Sequence, residues 1–187
     1  GVVGWGMKFT VLALCTSLIL IGCGSPDVEG PEISDKILTE AIDESKLQER
    51  GKEGEQLLYV PNEQKSFSGW AKEIYNNGQV RKLFKVGNGK LDGPYTQWHE
   101  NGQKKSELNY KEGNKHGFGT GWFENGQKSW EGNYEDGKVL SASVWKPDGE
   151  ECPVTNLENG NGVVVNYKDD GTEEYRATLK DGEIVKD

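Results

Sequence analysis

Large apolar residues recur along this chain at a fixed spacing, on either side of a short polar turn. Between Gly93 and Lys138 the pattern is written twice: Trp98, then Glu100-Asn101-Gly102-Gln103, then Tyr110; and Trp122, then Glu124-Asn125-Gly126-Gln127, then Tyr134. The glycines and the tyrosines are both 24 residues apart, a period that marks a repeat architecture. The same turn signal appears upstream at Asn77-Gly78 and downstream at Asp148-Gly149 and Asp170-Gly171. With each turn glycine as position zero, position −4 holds Ile74, Trp98, Trp122, Trp145 and Tyr167, and position +8 holds Val86, Tyr110, Tyr134, Leu157 and Leu179. Position +4 adds Trp130 and Tyr175. Stacked repeats build a continuous surface from such columns. The segments flanking each turn are short, aromatic-rich and alternating, so they read as strands. The pattern predicts an all-β fold: a single-layer antiparallel β-meander of tandem hairpins over residues 57–187, with a degenerate first copy in Leu57–Gly69.

The fourth copy predicts the loop. It reads Lys146-Pro147-Asp148-Gly149-Glu150. Proline fixes φ near −65°, which excludes the mirror-image turn that Asn-Gly otherwise favours. Pro-Asp-Gly suits a type I turn closed by a left-handed glycine, which pairs position −3 with +1. Regular alternation from that pair puts the Trp98 and Tyr110 columns on one face, and Gln103, Lys105, Glu107 and Asn109 on the other. It also makes Trp98, Trp122 and Trp145 a stripe interleaved with lysine stems, and sets Tyr75, His99 and Phe123, all at −3, along an exposed edge of the opposite face.

The N-terminal pattern differs. Met7-Lys8 precedes an apolar run from Phe9 to Ile21, a basic start and an h-region too short for a comfortable membrane span. This predicts an export signal over residues 1–22, with translation starting at Met7. Leu20-Ile21-Gly22-Cys23 resembles the lipobox of bacterial lipoproteins, a resemblance that implies lipid attachment at Cys23 and, with Gly24-Ser25 following, the outer membrane of a cell that has one. Several acyl chains give a stable anchor, at about 0.8 kcal/mol per buried CH₂. Residues 23–56 then form an acidic tether. Within it Ile33, Ile37, Leu38 and Ile42 recur at helical spacing, which predicts a short amphipathic helix able to cover part of the aromatic face.

Composition narrows the function. A net charge of −9 argues against nucleic acid, whose phosphates would repel the chain. Of the three cysteines, Cys15 leaves with the signal and Cys23 takes lipid, so Cys152 has no partner for a disulfide and reads as a small residue at a strand edge. His99 and His116 have no partner at metal-ligand spacing. The Asp-Gly pairs are turn chemistry without the alternating oxygens of a calcium loop. No catalytic residue, metal or cofactor is expected.

Phe67-Ser68-Gly69-Trp70, Tyr75-Asn76-Asn77-Gly78-Gln79, Trp98-His99-Glu100-Asn101-Gly102-Gln103-Lys104 and Trp122-Phe123-Glu124-Asn125-Gly126-Gln127-Lys128 together resemble the bacterial MORN-repeat variant, in proteins carrying the antitoxin-like YwqK family label. The resemblance covers residues 57–187. It implies a MORN-like hairpin domain and roles in lipid association, dimerisation or scaffolding. The expected function is therefore a non-enzymatic, lipid-anchored envelope protein whose sheet binds a protein or glycan. The candidate binding residues are Trp98, Trp122, Trp145, Tyr167, Tyr75, His99 and Phe123. The alternative is an antitoxin or immunity-type protein of a toxin–antitoxin system.

The anchor gives the first test. Mass spectrometry of the N-terminus after expression in a bacterium is expected to find a lipidated Cys23 as residue one. An unmodified N-terminus at Met7, or cleavage without lipid, contradicts this.

Overall fold

The computed structural model describes residues 34–185; the expected export signal and lipid attachment at Cys23 lie outside the described residues. The described residues begin with helix α1 (Asp35–Glu40), strand β1 (Ile42–Asp43) and the short strands β2 (Gln48–Arg50) and β3 (Leu57–Tyr59). The hairpin series follows: β4 (Gly69–Ile74), β5 (Val80–Gly87), β6 (Lys90–Trp98), β7 (Lys104–Lys111), β8 (Asn114–Lys115), β9 (Gly117–Trp122), β10 (Lys128–Glu135) and β11 (Lys138–Val144). Three strands close the chain: β12 (Gly162–Tyr167), β13 (Glu173–Lys180) and β14 (Glu183–Ile184). The fold is all-β and built of antiparallel hairpins. Its main sheet runs β1-β4-β5-β6-β7-β9-β10-β11, with β8 on β7; β12-β13-β14 and β2-β3 form two smaller sheets. The fifth hairpin, β12–β13, thus lies in a separate sheet from the first four units.

Each predicted turn has the predicted geometry. The −3 N–H donates to the +1 carbonyl in all five copies: Tyr75 to Gln79, His99 to Gln103, Phe123 to Gln127, Lys146 to Glu150 and Lys168 to Thr172, at 2.8–2.9 Å. The glycines sit at positive φ, Gly102 at 84° and Gly126 at 82°, where a side chain would be strained. A second turn type closes the other end of the meander. Asn88-Gly89, Glu112-Gly113 and Asp136-Gly137 all have positive φ at both residues, the two-residue turn that suits the right-handed twist of a hairpin.

The face assignment needs correction. Beyond the first pair, the second strand of four of the five hairpins carries one extra residue. Trp98 pairs with Lys104, but its neighbour Gln97 pairs with Ser106 and leaves Lys105 unmatched. The same shift leaves out Arg81, Ser129 and Glu174 in three other copies. This β-bulge reverses the alternation from position +4 onward. The Trp98 and Trp122 column therefore lies with Glu107 and Asn109, on the face opposite Tyr110 and Tyr134. The bulge also brings +2 and +5 to one face. Lys128 meets Glu131 at 2.7 Å and Glu173 meets Arg176 at 2.9 Å; Lys104 and Glu107 pair in the same way. An unbulged strand would point such i,i+3 residues apart.

Neighbouring hairpins are tied through their turns. At −1, Asn77, Asn101 and Asn125 each accept the +1 N–H through Oδ1. Each then donates Nδ2 to a carbonyl of the next turn: Glu100, Glu124 and Pro147. In the fourth copy Asp148 keeps the acceptor and accepts from Glu150 N–H at 2.9 Å. An aspartate has no amide to pass on, and the ladder ends there. At the far end of the meander Gly89, Gly113 and Gly137 donate to Phe67, Leu91 and Lys115, so both rims are laced.

The Tyr110 face carries the core, in two clusters. Ala71, Phe84 and Val86 are covered by Ile42, Leu47, Leu58 and Phe67. Val144, Cys152, Leu157, Val164, Val165 and Leu179 fill the space between β11 and the terminal sheet. The predicted helix is shorter than its spacing suggested. Ser34 caps it, and Ile42 instead pairs with Ala71 in a parallel bridge, since a helix of this length is marginal alone while a strand there buries Ile42. Cys152 is only 3% exposed, a core position rather than a strand edge.

The ladder predicts a selective effect. Asn101→Asp and Asn125→Asp keep the turn acceptor and lose the donor, so each is expected to lower stability by about 1 kcal/mol. Asp148→Asn is expected to stay within about 0.5 kcal/mol of the parent. Urea denaturation reads this; equal midpoints for all three variants contradict it.

Candidate functional site

The residues named from sequence fall into two groups. Trp98, Trp122, Trp145 and Tyr167, at −4, are all half-buried. Trp98 and Trp122 pair with Lys104 and Lys128, and the Lys128 ammonium lies 5.1 Å over the Trp145 ring, so lysine stems do interleave the tryptophans. Tyr167 turns inward and its hydroxyl lies 3.3 Å from Cys152 Sγ. Burial by itself pushes the Cys152 thiol up, but hydrogen bonds from Thr155 and Tyr167 outweigh it and hold the thiol below its ordinary range.

The −3 column is not an exposed edge. Phe123 and His99 are 5% and 7% exposed. Tyr75 donates its hydroxyl to Trp98 O at 2.8 Å, and His99 Nε2 donates to Trp122 O at 2.9 Å. These side chains fill the seam between one turn and the next. The bulge moved the faces, and the one-turn-per-repeat stacking then closed over the −3 residues.

A concave site lies elsewhere. The terminal sheet diverges from β10 and β11 and leaves an open cleft of about 400 Å³, lined by Trp130, Tyr134, Tyr175, Lys115, Asn166 and Leu179 among others. Its floor depends on a size exchange between repeats. Trp130 at +4 faces Gly121 and sits beside Gly119, and a Cβ on Gly121 would fall inside the indole. In the preceding copy the small Ser106 at +4 faces Gln97. Trp130 and Tyr134 meet edge to face with centroids 6.3 Å apart, a favoured aromatic geometry. Across the cleft, Tyr175 is 47% exposed and its hydroxyl accepts from Asn166 Nδ2 at 2.7 Å. The Lys115 ammonium sits 5.3 Å over the Tyr134 ring, a cation–π contact.

Burial dominates the electrostatics of this site. It pushes Tyr134 up to about 12, with smaller contributions from Tyr175 and Tyr110. Tyr95, Tyr110 and Tyr175 are raised too, chiefly by burial. Burial lowers Lys115. Pockets of this kind, aromatic walls with a few placed polar groups, are the usual form of ligand sites. A second groove of about 310 Å³ on the opposite face is lined by Phe118, Asn133, Ser141 and Asn156 among others. Among the described residues no three His, Cys, Asp or Glu side chains converge on a common point.

Sequence reasoning placed Trp130 and Tyr175 together at +4 and did not assign them to a site. The missed signal was the pair of glycines at 119 and 121, spaced two apart in a strand and so opening one face for a large partner.

The tyrosine shift makes stability pH-dependent. Above about pH 10 the unfolded chain releases the Tyr134 proton while the folded chain holds it, so stability falls as pH rises toward 12. Tyr134→Phe is expected to flatten that fall between pH 10 and 12, measured by denaturant titration at several pH values. Identical slopes contradict the assignment.

No protein-family model, curated protein or solved structure matches this chain.

Proposed function

We propose that this protein is a non-enzymatic, lipid-anchored module of the bacterial cell envelope that captures a glycan or protein partner, and that the Trp130–Tyr134–Tyr175 cleft is its binding site. The single observation supporting it is the cleft: three aromatic side chains, an amide and an ammonium converge on one solvent-open space. The sequence features of an export signal and lipobox supply the address, and the repeat pattern fits the MORN-like scaffold reading.

The cleft favours a glycan over a peptide strand. Extended peptides add to a free sheet edge, and the β11 edge beside the cleft is already bonded: Gly160 N–H to Leu140 O, Cys152 N–H to Val144 O, and Val139 N–H to Gly182 O. Recognition there falls to side chains. A sugar presents a C–H face to an aromatic ring and hydroxyls to Tyr175 and Asn166.

Tyr175→Ala tests this, because Tyr175 is exposed and its truncation leaves the core intact. Capture of purified cell-wall glycan by the full-length protein is expected to fall at least about fivefold, a loss of about 1 kcal/mol or more as for an aromatic contact residue. Unchanged glycan capture contradicts the cleft reading, and so does loss confined to an envelope-protein extract.

A further inference from the structure

Lys115 occupies a position that the repeat otherwise fills with apolar side chains. In four of the five copies the residue at +8 pairs across the next turn with +13: Val86 with Leu91, Tyr110 with Lys115, Tyr134 with Val139, and Leu179 with Ile184. Leu91 joins one core cluster and Val139 the other. Only the second copy substitutes a cation. Placing an ammonium at a half-buried site is costly unless it is paired. Yet no carboxylate lies within 4.0 Å of Lys115 among the described residues, in a chain whose net charge is −9. Glu183 pairs instead with Lys138 at 3.1 Å, and Asp136 lies largely exposed beside His116. Among the described residues the ammonium's one partner is the Tyr134 ring face.

A missing counter-ion in an open cleft points to one supplied by the ligand. The donor set limits which anion it is. A phosphate is usually held by several donors, such as an arginine fork or a nest of backbone N–H groups. Here there is one ammonium amid aromatic rings, with hydroxyl and amide groups at Tyr175 and Asn166. That arrangement suits a single negative charge on a ring-shaped, hydroxyl-bearing molecule. Resting on the reading of the cleft as a glycan site, we propose that its ligand is an acidic saccharide whose ring carboxylate pairs with Lys115 while the sugar ring lies against Tyr175 and Trp130. The carboxylate gives the ammonium the counter-charge that no described side chain supplies.

The probes are an oligogalacturonate and its methyl ester, which keeps the ring and hydroxyls and removes the charge. Each is titrated into the full-length protein in detergent, with calorimetry as the readout. The acid is expected to bind about tenfold more tightly than the ester, one decade in Kd. Lys115→Met, which keeps the stem, is expected to bring the acid down to the ester's affinity and leave the ester unchanged; Lys115→Arg is expected to hold the acid within about threefold of the parent. Equal affinity for acid and ester overturns the proposal, and so does an equal loss of both in Lys115→Met. If acid and ester bind equally and Tyr175→Ala abolishes both, the acidic-ligand inference fails and the glycan cleft stands. If neither binds and cell-wall capture is indifferent to Tyr175→Ala, both fail.

Discussion

One extra residue in the second strand of four of the five hairpins determines what each face of the sheet presents. Without it, +2 and +5 would point to opposite sides, and the Tyr110 column would share a face with Trp98. With it, the charged pairs Lys104–Glu107, Lys128–Glu131 and Glu173–Arg176 close on the tryptophan face, while Leu108, Tyr110, Trp130 and Tyr134 turn to the core side. In the first copy the equivalent positions are Val80 and Leu83, and Leu83 is 1% exposed; an apolar pair replaces the ionic one without disturbing the register. A bulge repeated at one position in four copies also raises the local twist each time, which keeps a long meander from lying flat.

The turn ladders answer a different need. Each hairpin alone is marginal, and a stack of them is stable only through its interfaces. The asparagine at −1 serves both scales, closing its own turn through oxygen and bonding the next turn through nitrogen. The change to aspartate at 148 coincides with the last turn of the meander, after which the chain folds its fifth hairpin into another sheet. The turn of that fifth hairpin still reaches back: Asp169 accepts from the Glu124 N–H at 2.8 Å. The terminal sheet, the loop from Glu151 to Asn161 and the β1 bridge between them occupy both sheet edges, which limits edge-to-edge pairing.

Much of this was readable in the chain. The period, the hairpins and the loop geometry follow from Asn-Gly spacing and from one proline, because φ at Pro147 excludes the competing turn. The bulge was not, since apolar residues occur on both faces and either register groups some of them. The signal that distinguishes the registers is electrostatic: Lys104–Glu107 and Lys128–Glu131 are opposite charges three apart, senseless in a regular strand and complementary in a bulged one. The burial of His99 and Phe123 was hidden for a related reason. A residue beside a turn looks exposed within its own hairpin, and only the stacking of the next turn covers it. Lys115 reads as an ordinary strand-end lysine until its column is aligned with Leu91, Val139 and Ile184.

The candidate site arises where the repeat departs from its own rules. The third copy exchanges volume across a strand pair, with Gly119 and Gly121 making room for Trp130, and the adjoining second copy puts a cation in an apolar column. Each change alone is locally unfavourable: glycine weakens a strand interior, and a half-buried ammonium loses hydration. The glycines are compensated by the indole that fills their place. Among the described residues the ammonium has only a ring face. Local inconsistency with the rest of a fold is expected at functional positions, and here the two departures meet at one cleft, on the side of the sheet that the terminal hairpin leaves partly uncovered. Similar hairpin backbones therefore come to differ at this cleft through side chains that no other repeat combines.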